Sequence, residues 1–503
     1  MTKDELLNTV DRLADKFFAN GIVAPTAYIE QISFLFFAKM LEEQENDRIQ
    51  AAKMMKKPYK SIFDGKNEKF RWSVWSKMPD TQSMFKFVRD ELITFFQSGI
   101  QNHEDVKKFF QEVRFLIPDA ILLSEVVDVI SKIEFNKIDI DVKGDMYEHL
   151  TARLTTAGRI GSFRTPRHII RTIVKMVDPK LGQRICDPAC GTAGFVLAAY
   201  EHIKSQNSKT TLEEITSDNG DKYQKGKGDL LGEKDWNTLQ ESTFWGFDVS
   251  PDSIKIAIMN MLLHGLAAKN VYRRDSLAGG ADAEEEMNWD VVLANPPFAG
   301  EVSLERLRTV LPVKAKDSSI LFVGLMIESL KFGGTCGVIV NEGLLFGRNR
   351  SGVALRKLLL KKMELQAVVS LPQGVFNPYA GVKTSFLIFK NTGKPTRRVW
   401  FYEVESDGYT KGTNRKPDPF KNDLPDLLSK WPERKVSEQS WIVNVNRVKE
   451  NDFILSSSTY KPESGGDKQN LREPSEILKE IDSIDLEYKD LRIKIEKLLI
   501  KGI

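Results

Sequence analysis

Val291-Val292-Leu293-Ala294-Asn295-Pro296-Pro297-Phe298 is a short apolar run that ends in a doubled proline and an aromatic ring. A run of this length without polar interruption reads as a strand buried on both faces, the kind found in parallel sheets. Proline lacks a backbone N–H and fixes its own φ, so Asn-Pro-Pro predicts a stiff turn at the strand's carboxyl end. In open α/β sheets that end is where ligands bind. The Asn295 amide and the Pro296 carbonyl are acceptors there, with the Phe298 ring as a stacking surface beside them. This set suits a flat ring carrying an amino group. Taken alone, it is equally the turn after a strand with Asn as a local cap.

The segments before it supply the remaining strands. Arg184-Ile185-Cys186-Asp187-Pro188-Ala189-Cys190-Gly191-Thr192-Ala193-Gly194-Phe195 reads as strand, glycine-bearing turn and helix start. Small residues let the backbone approach a ligand, and the following helix presents amides. The spacing departs from G-x-G-x-x-G and has no Gly-Lys-Ser/Thr, which argues against an ordinary dinucleotide or triphosphate loop. Asp187 at the strand end suits an ammonium or sulfonium better than a pyrophosphate. Phe244 to Asp248 reads as a second strand ending in an acid, where a carboxylate accepts the two hydroxyl hydrogens of a ribose. A helix from Ile254 to Leu266 follows. Asp275 ends a possible third strand and faces an adenine amine in this reading, and Asp290 to Ala294 is the fourth strand.

Upstream, Gly158 to Arg167 reads as a loop entering a helix from His168 to Val177, with Thr165 as N-cap and Pro166 as first helical residue. Residues Gln206 to Asp235 read as an exposed polar excursion. Downstream, the charged segment from Phe298 to Lys316 is a candidate loop over the site. Ile320 to Leu330 reads as a helix, and Gly333 to Val340, Leu365 to Ser370 and Ser385 to Phe389 as strands. The loop Leu371 to Thr384 either lines the same cleft or is a plain hairpin connection.

The first 150 residues carry a different texture. Leu6, Val10, Leu13 and Phe17 share one helical face, Ile29, Ile32, Phe36 and Met40 another, and Ile121 to Ile133 is amphipathic. The basic, aromatic stretch from Lys53 to Trp75 reads as a solvated face over a core tryptophan in preference to a phosphate-binding surface. Past Phe401 the pattern weakens. At the end, Ile477, Ile481, Ile484, Tyr488, Leu491, Ile495 and Leu498 step by four and three, a heptad seam near Pro474 that must pack on its own chain or on a partner.

At 503 residues the chain exceeds one ordinary core. The expected organisation is a helical domain over 1–150, an α/β catalytic domain over 151–400, a mixed extension over 401–473 and a C-terminal helix over 474–503. Hydrophobic residues at 41% and charged residues at 28% are those of a soluble globular protein. A net charge of +3 argues against wholesale charge-driven nucleic-acid binding, leaving base readout to a partner. The three cysteines, Cys186, Cys190 and Cys336, have no metal spacing and read as reduced thiols. With no signal segment and no apolar run of about 20 residues, the expectation is a cytoplasmic protein without a membrane partner.

Together these segments resemble the modification (methyltransferase) subunit of type I restriction–modification systems. The resemblance covers nearly the whole chain. Its specificity lies in motif order: the Phe163-x-Thr165-Pro166 segment precedes the glycine turn, and Asn295-Pro296-Pro297-Phe298 follows it, the order of the gamma group of amino-methylating DNA methyltransferases. It implies a Rossmann-like class I methyltransferase fold, S-adenosylmethionine as cofactor, and transfer of a methyl group to the exocyclic N6 of a flipped adenine in double-stranded DNA. Ser162, Phe163, Arg164, Thr165, Pro166 and Arg167, with Ala189, Gly191, Thr192, Ala193 and Gly194, would contact the cofactor. Asp187 would face its ammonium, Asp248 its ribose and Asp275 its adenine. Asp248 stands where many relatives have Glu, and Arg164 where many have an aromatic residue. Asn295, Pro296, Pro297 and Phe298 would hold the target base. Implied partners are a DNA-specificity subunit, with two of these chains per copy, and a restriction/translocase subunit.

The chemistry fits on its own terms. Two acceptors can aim the lone pair of a weakly nucleophilic aromatic amine at an electrophilic methyl group without an enzyme nucleophile or a metal. Methylation at ring carbon would need a cysteine near the Asn-Pro-Pro turn, and Cys186 and Cys190 lie in the first turn instead. The competing readings are a cytosine exocyclic-amine methyltransferase and a non-catalytic scaffold with a degenerate methyltransferase fold. Asn before Pro-Pro favours adenine.

Overall fold

Alternation along one strand shows how the layers are built. In β6 (Trp289–Ala294), Val291 and Leu293 join a core shared with helices Arg167–Val177, Gly194–Gln206 and Pro251–Leu263. Val292 and Ala294 point the other way, into a core with helices Ser318–Ser329 and Arg350–Lys362. A strand covered by helices on both faces has no solvent side, which is why its sequence is apolar without interruption. The fold is that of a computed structural model, which describes residues 3–462 other than 55, 57, 99–109, 111–112, 139, 157–164, 218, 279–286, 299, 304, 306, 378–380 and 413–414. The heptad helix expected over 474–503 lies outside the described residues.

The other strands, in chain order, are β1 (Ile185–Asp187), β2 (Glu213–Thr216), β3 (Lys222–Lys225), β4 (Phe244–Asp248), β5 (Val271–Arg273), β7 (Leu330–Asn341), β8 (Glu364–Ser370), β9 (Thr384–Lys390), β10 (Arg398–Glu403), β11 (Asp407–Tyr409), β12 (Pro417–Asn422) and β13 (Ser440–Asn444). Eight of them form one mixed sheet with β6, in the order β13-β10-β8-β9-β7-β6-β1-β4-β5. β5, β4, β1, β6 and β7 are parallel. β9 is antiparallel to both β7 and β8, and β13 is antiparallel to β10. From β1 the chain builds outward through β4 and β5, then returns to β6 on the other side. The crevice at the carboxyl ends of β1 and β6 is therefore the topological switch point.

Among the described residues, the N-terminal region is helical from Lys3 to Thr156. Leu6, Val10, Leu13 and Phe17 are buried, as their spacing predicts. Trp72 and Trp75 are buried beneath the basic stretch, whose Lys69 pairs with Glu91 and whose Arg71 lies 3.7 Å from Glu42. The tryptophans of that stretch belong to the core.

Four expectations change. The boundary at position 400 does not divide the sheet, because it falls inside β10, and β13 beyond it pairs into the same sheet. The excursion from Gln206 to Asp235 contains the β2–β3 hairpin, tied down by buried polar groups: Asn219 Nδ2 donates to Asp407 O at 3.2 Å, and Asn422 Nδ2 to Asp221 Oδ1 at 2.6 Å. The third strand stops at Arg273, so Asp275 lies in the turn after it. The segment after Phe298 is stitched back by a Glu301–Asp317 bridge, and Arg308 donates to Leu277 O at 3.0 Å from its backbone and to Ala278 O at 3.1 Å from Nε. The sequence marked it as a mobile loop over the site, but the buried Arg308 ties it into the body.

Candidate active site

Asp187 ends β1 and is buried, its Oδ1 accepting from the Ala189 amide at 3.0 Å. Burial, together with the charge of Asp248, pushes its carboxyl up to about 8 against the help of that amide. The turn after it is held from several sides. Cys190 N donates to Phe247 O at 2.9 Å, Asn260 Nδ2 to Thr192 O at 3.0 Å, and Ser276 Oγ to Pro188 O at 2.6 Å. Gly191 (φ 52) and Ala193 (φ 65) both take the left-handed conformation, and for alanine that is a strained one. The next strand comes so close that a Cβ on Gly246 would lie 3.1 Å from Cys190 Sγ.

Asp248, at the end of β4, accepts from Gly191 N at 3.0 Å through Oδ2 and from Ser250 N at 2.8 Å through Oδ1. Each oxygen retains a lone pair for a further donor. Burial raises its carboxyl, and the amides work against that. Asp275 is exposed and accepts from Leu277 N at 2.9 Å. Asp187 and Asp248 thus lie at neighbouring strand ends with backbone amides, and no cation, as their partners among the described residues. A buried and a half-buried carboxyl group in that state fit a ligand that brings a positive charge and a diol.

Across the switch point, Asn295 follows the last residue of β6. Its Nδ2 donates to Thr165 Oγ1 at 2.9 Å, while Oδ1 is buried with no partner among the described residues. A buried acceptor left unpaired costs about 1–3 kcal/mol. Such a cost is consistent with a group kept open for a substrate. Pro296 is buried and Pro297 exposed. Phe298 O accepts from Asn341 Nδ2 at 2.9 Å, which ties the turn to the end of β7. The Phe298 ring meets Phe376 edge-on, centroids 5.5 Å apart at 90°. Phe376 belongs to the loop between β8 and β9, so that loop is at once a hairpin connection and a wall of the cleft.

The upstream motif differs from expectation. Pro166, not Thr165, occupies the N-cap of the helix Arg167–Val177, and no side chain caps it. The Thr165 hydroxyl is engaged by Asn295 instead. Arg167 pairs with Glu148 of the helix Ile140–Thr156. Ser162, Phe163 and Arg164 lie outside the described residues.

Sequence reasoning missed the group that braces this corner. Buried His168 Nε2 lies 2.9 Å from Asp407 Oδ2, Asp407 also pairs with Arg415, and Arg415 Nη1 donates to Val375 O at 3.3 Å beside Phe376. Burial raises the Asp407 carboxyl, but His168 and Arg415 outweigh it and leave the group below its usual range. His168 and Asp407 are 239 residues apart, and Asp407 sits where the sequence pattern weakens, so no local signal pointed to the pair. Asn260 and Asn341 were equally silent as single polar residues at element ends.

The switch-point crevice, its paired acids and the Asn-Pro-Pro-Phe turn define a class I methyltransferase directed at an amine. Residues 138–468 match the family model N-6 DNA Methylase, and residues 6–130 match the HsdM N-terminal domain. The chain belongs to the N-6 DNA methylase family, adenine-specific DNA methyltransferases, in the form of a type I restriction–modification methylase subunit. It is 28% identical to the type I restriction enzyme EcoEI methylase subunit of Escherichia coli, over 95% of this chain and 94% of the relative. It is likewise 28% identical to the EcoKI methylase subunit of E. coli K12, over 81% of this chain and 72% of that one. Among solved structures, a chain from a type I R-M system complex aligns over 100% of both chains with a TM-score of 0.70 at 27% identity. A type I modification subunit from Vibrio vulnificus YJ016, at 23% identity over 89% of this chain and 93% of that one, shares the fold with a TM-score of 0.70. These likenesses favour adenine over the cytosine and scaffold readings. Among the described residues no helix is long and apolar enough to cross a membrane, and all three cysteines are buried free thiols.

Proposed function

We propose that Asn295 Oδ1 and the Pro296 carbonyl accept the two N6 hydrogens of an adenine flipped out of double-stranded DNA, while Phe298 stacks on the base. The observation that carries this is the buried, unpartnered Oδ1 of Asn295 at the switch point. Holding both hydrogens draws the nitrogen toward a tetrahedral shape and aims its lone pair along one direction. Phe376, edge-on to Phe298, keeps that ring upright and helps exclude water from the amine.

S-adenosylmethionine is the proposed methyl donor, and when bound it supplies an electrophilic methyl group on a sulfonium. Asp187 faces the donor's ammonium, Asp248 accepts from its ribose hydroxyls, and Asp275 lies on the adenine side. The turn from Ala189 to Gly194 lets backbone approach the ligand, and Ser162 to Arg164 are the further residues assigned to it by the family resemblance. Base readout belongs to a DNA-specificity subunit, with two of these chains per copy, and a restriction/translocase subunit completes the assembly in the cytoplasm.

Asn295→Ala tests the reading. In complex with the specificity subunit, the variant should bind cofactor and melt like the parent while methyl transfer to DNA falls by orders of magnitude. Methylation near the parental rate would overturn it.

A further inference from the structure

A primary amide has two nearly isosteric ends, and only one of them accepts. If the Asn295 side chain were turned by 180°, an N–H would face the target amine, and one of the two acceptors would become a repulsive donor. Something must choose the orientation. The polar atom within reach of the far end is Thr165 Oγ1, 2.9 Å from Nδ2 and 130 residues distant in sequence.

That hydroxyl is held firmly. Thr165 is 7% exposed and precedes Pro166, which confines its backbone to the extended region. Its branched Cβ restricts χ1. The helix that starts two residues later is locked at its first turn. His168 is pinned to Asp407, and Ile170 Cδ1 sits where a Cβ on Gly194 of the glycine turn would lie 3.0 Å away. Thr165 therefore stands between the two halves of the site, with its backbone fixed to the cofactor side and its hydroxyl turned to the catalytic amide.

We infer that Thr165 is a positioning residue, whose hydroxyl accepts from Asn295 Nδ2 and thereby presents Oδ1 to the adenine amine. This rests on the catalytic reading of Asn295 and takes the Thr165 side chain out of the cofactor contacts. Val keeps the branched shape and removes the acceptor. Ser keeps the acceptor and loses a methyl group.

The test compares T165V, T165S and N295A as full chains in complex with the specificity subunit. Cofactor Kd is measured by calorimetry, and kcat and KM for a DNA duplex carrying the recognition site by radiolabelled methyl transfer. T165V should lower kcat by about tenfold, the scale of one lost hydrogen bond in a preorganised site, with cofactor Kd and DNA KM unchanged. T165S should restore most of the rate. An unchanged kcat in T165V, or a cofactor Kd that rises in step with the lost rate without rescue by Ser, would overturn the inference. A thermal melt accompanies each variant. If T165V fails to fold, T165S and T165A carry the comparison, and equal loss in both would likewise refute a hydroxyl-specific role. An active N295A would remove the proposed function itself. An inactive N295A beside a fully active T165V would remove only the role of Thr165.

Discussion

Binding of S-adenosylmethionine at neutral pH should release a proton from Asp187. In the ligand-free chain that carboxyl is held up at about 8 by burial and by Asp248. At pH 7 it is therefore about 90% protonated. A ligand ammonium beside it favours the carboxylate and drives the proton off, so binding at pH 7 releases about 0.9 proton. The bound state holds fewer protons than the free one, so affinity rises with pH up to the free-state value. Between pH 6 and 7 the increase is about ninefold. This window lies below the range, about 7.7–8.0, in which a ligand α-amino group loses its own charge. The perturbation is Asp187→Asn, which cannot ionise. Calorimetric titrations in phosphate and in Tris separate the proton term, because the two buffers differ in ionisation enthalpy. The parent should show a slope near one proton and the steep pH dependence. The variant should bind more weakly, with neither feature. A parent chain that binds without proton release and with equal affinity at pH 6 and 7 would refute the placement of a cation beside Asp187.

Asp248→Ala should weaken cofactor binding by roughly 2–4 kcal/mol through two lost charge-assisted hydrogen bonds. Asp248→Asn, which keeps one of the two acceptor oxygens that Gly191 N and Ser250 N use, should lose less than Asp248→Ala, and calorimetry ranks the two. Gly337→Ala should lower thermal stability by about 1–3 kcal/mol, because the added Cβ would lie 2.6 Å from Ile173 Cγ2 and 2.8 Å from Val177 Cγ2. Gly381→Ala meets nothing within 4 Å and should melt like the parent. Removing everything after Glu473 should leave a folded chain that binds S-adenosylmethionine but no longer co-purifies with the specificity subunit. Continued assembly, or aggregation, would place the heptad seam within this chain's own packing.

What the sequence determined by itself was local in origin. The apolar run before Asn295 and the acids closing Ile185–Asp187 and Phe244–Asp248 announce strands and strand ends, because burial on two faces and turn chemistry are written in neighbouring residues. The order of the motifs carried the family for the same reason. Tertiary structure decided whatever depends on groups distant in the chain. Thr165 looked like a helix cap because Pro follows it, yet its hydroxyl belongs to Asn295, which only the return of β6 beside β1 brings within reach. β13 joined the sheet although its region reads weakly, since an edge position is satisfied by backbone pairing more than by side-chain pattern. The His168–Asp407–Arg415 brace has no periodicity to betray it, because buried ion pairs are selected by partners in space. The same holds for the state of Asp187: its carboxyl is visible in the sequence, but its proton is set by burial and by Asp248, and both exist only once the sheet has formed.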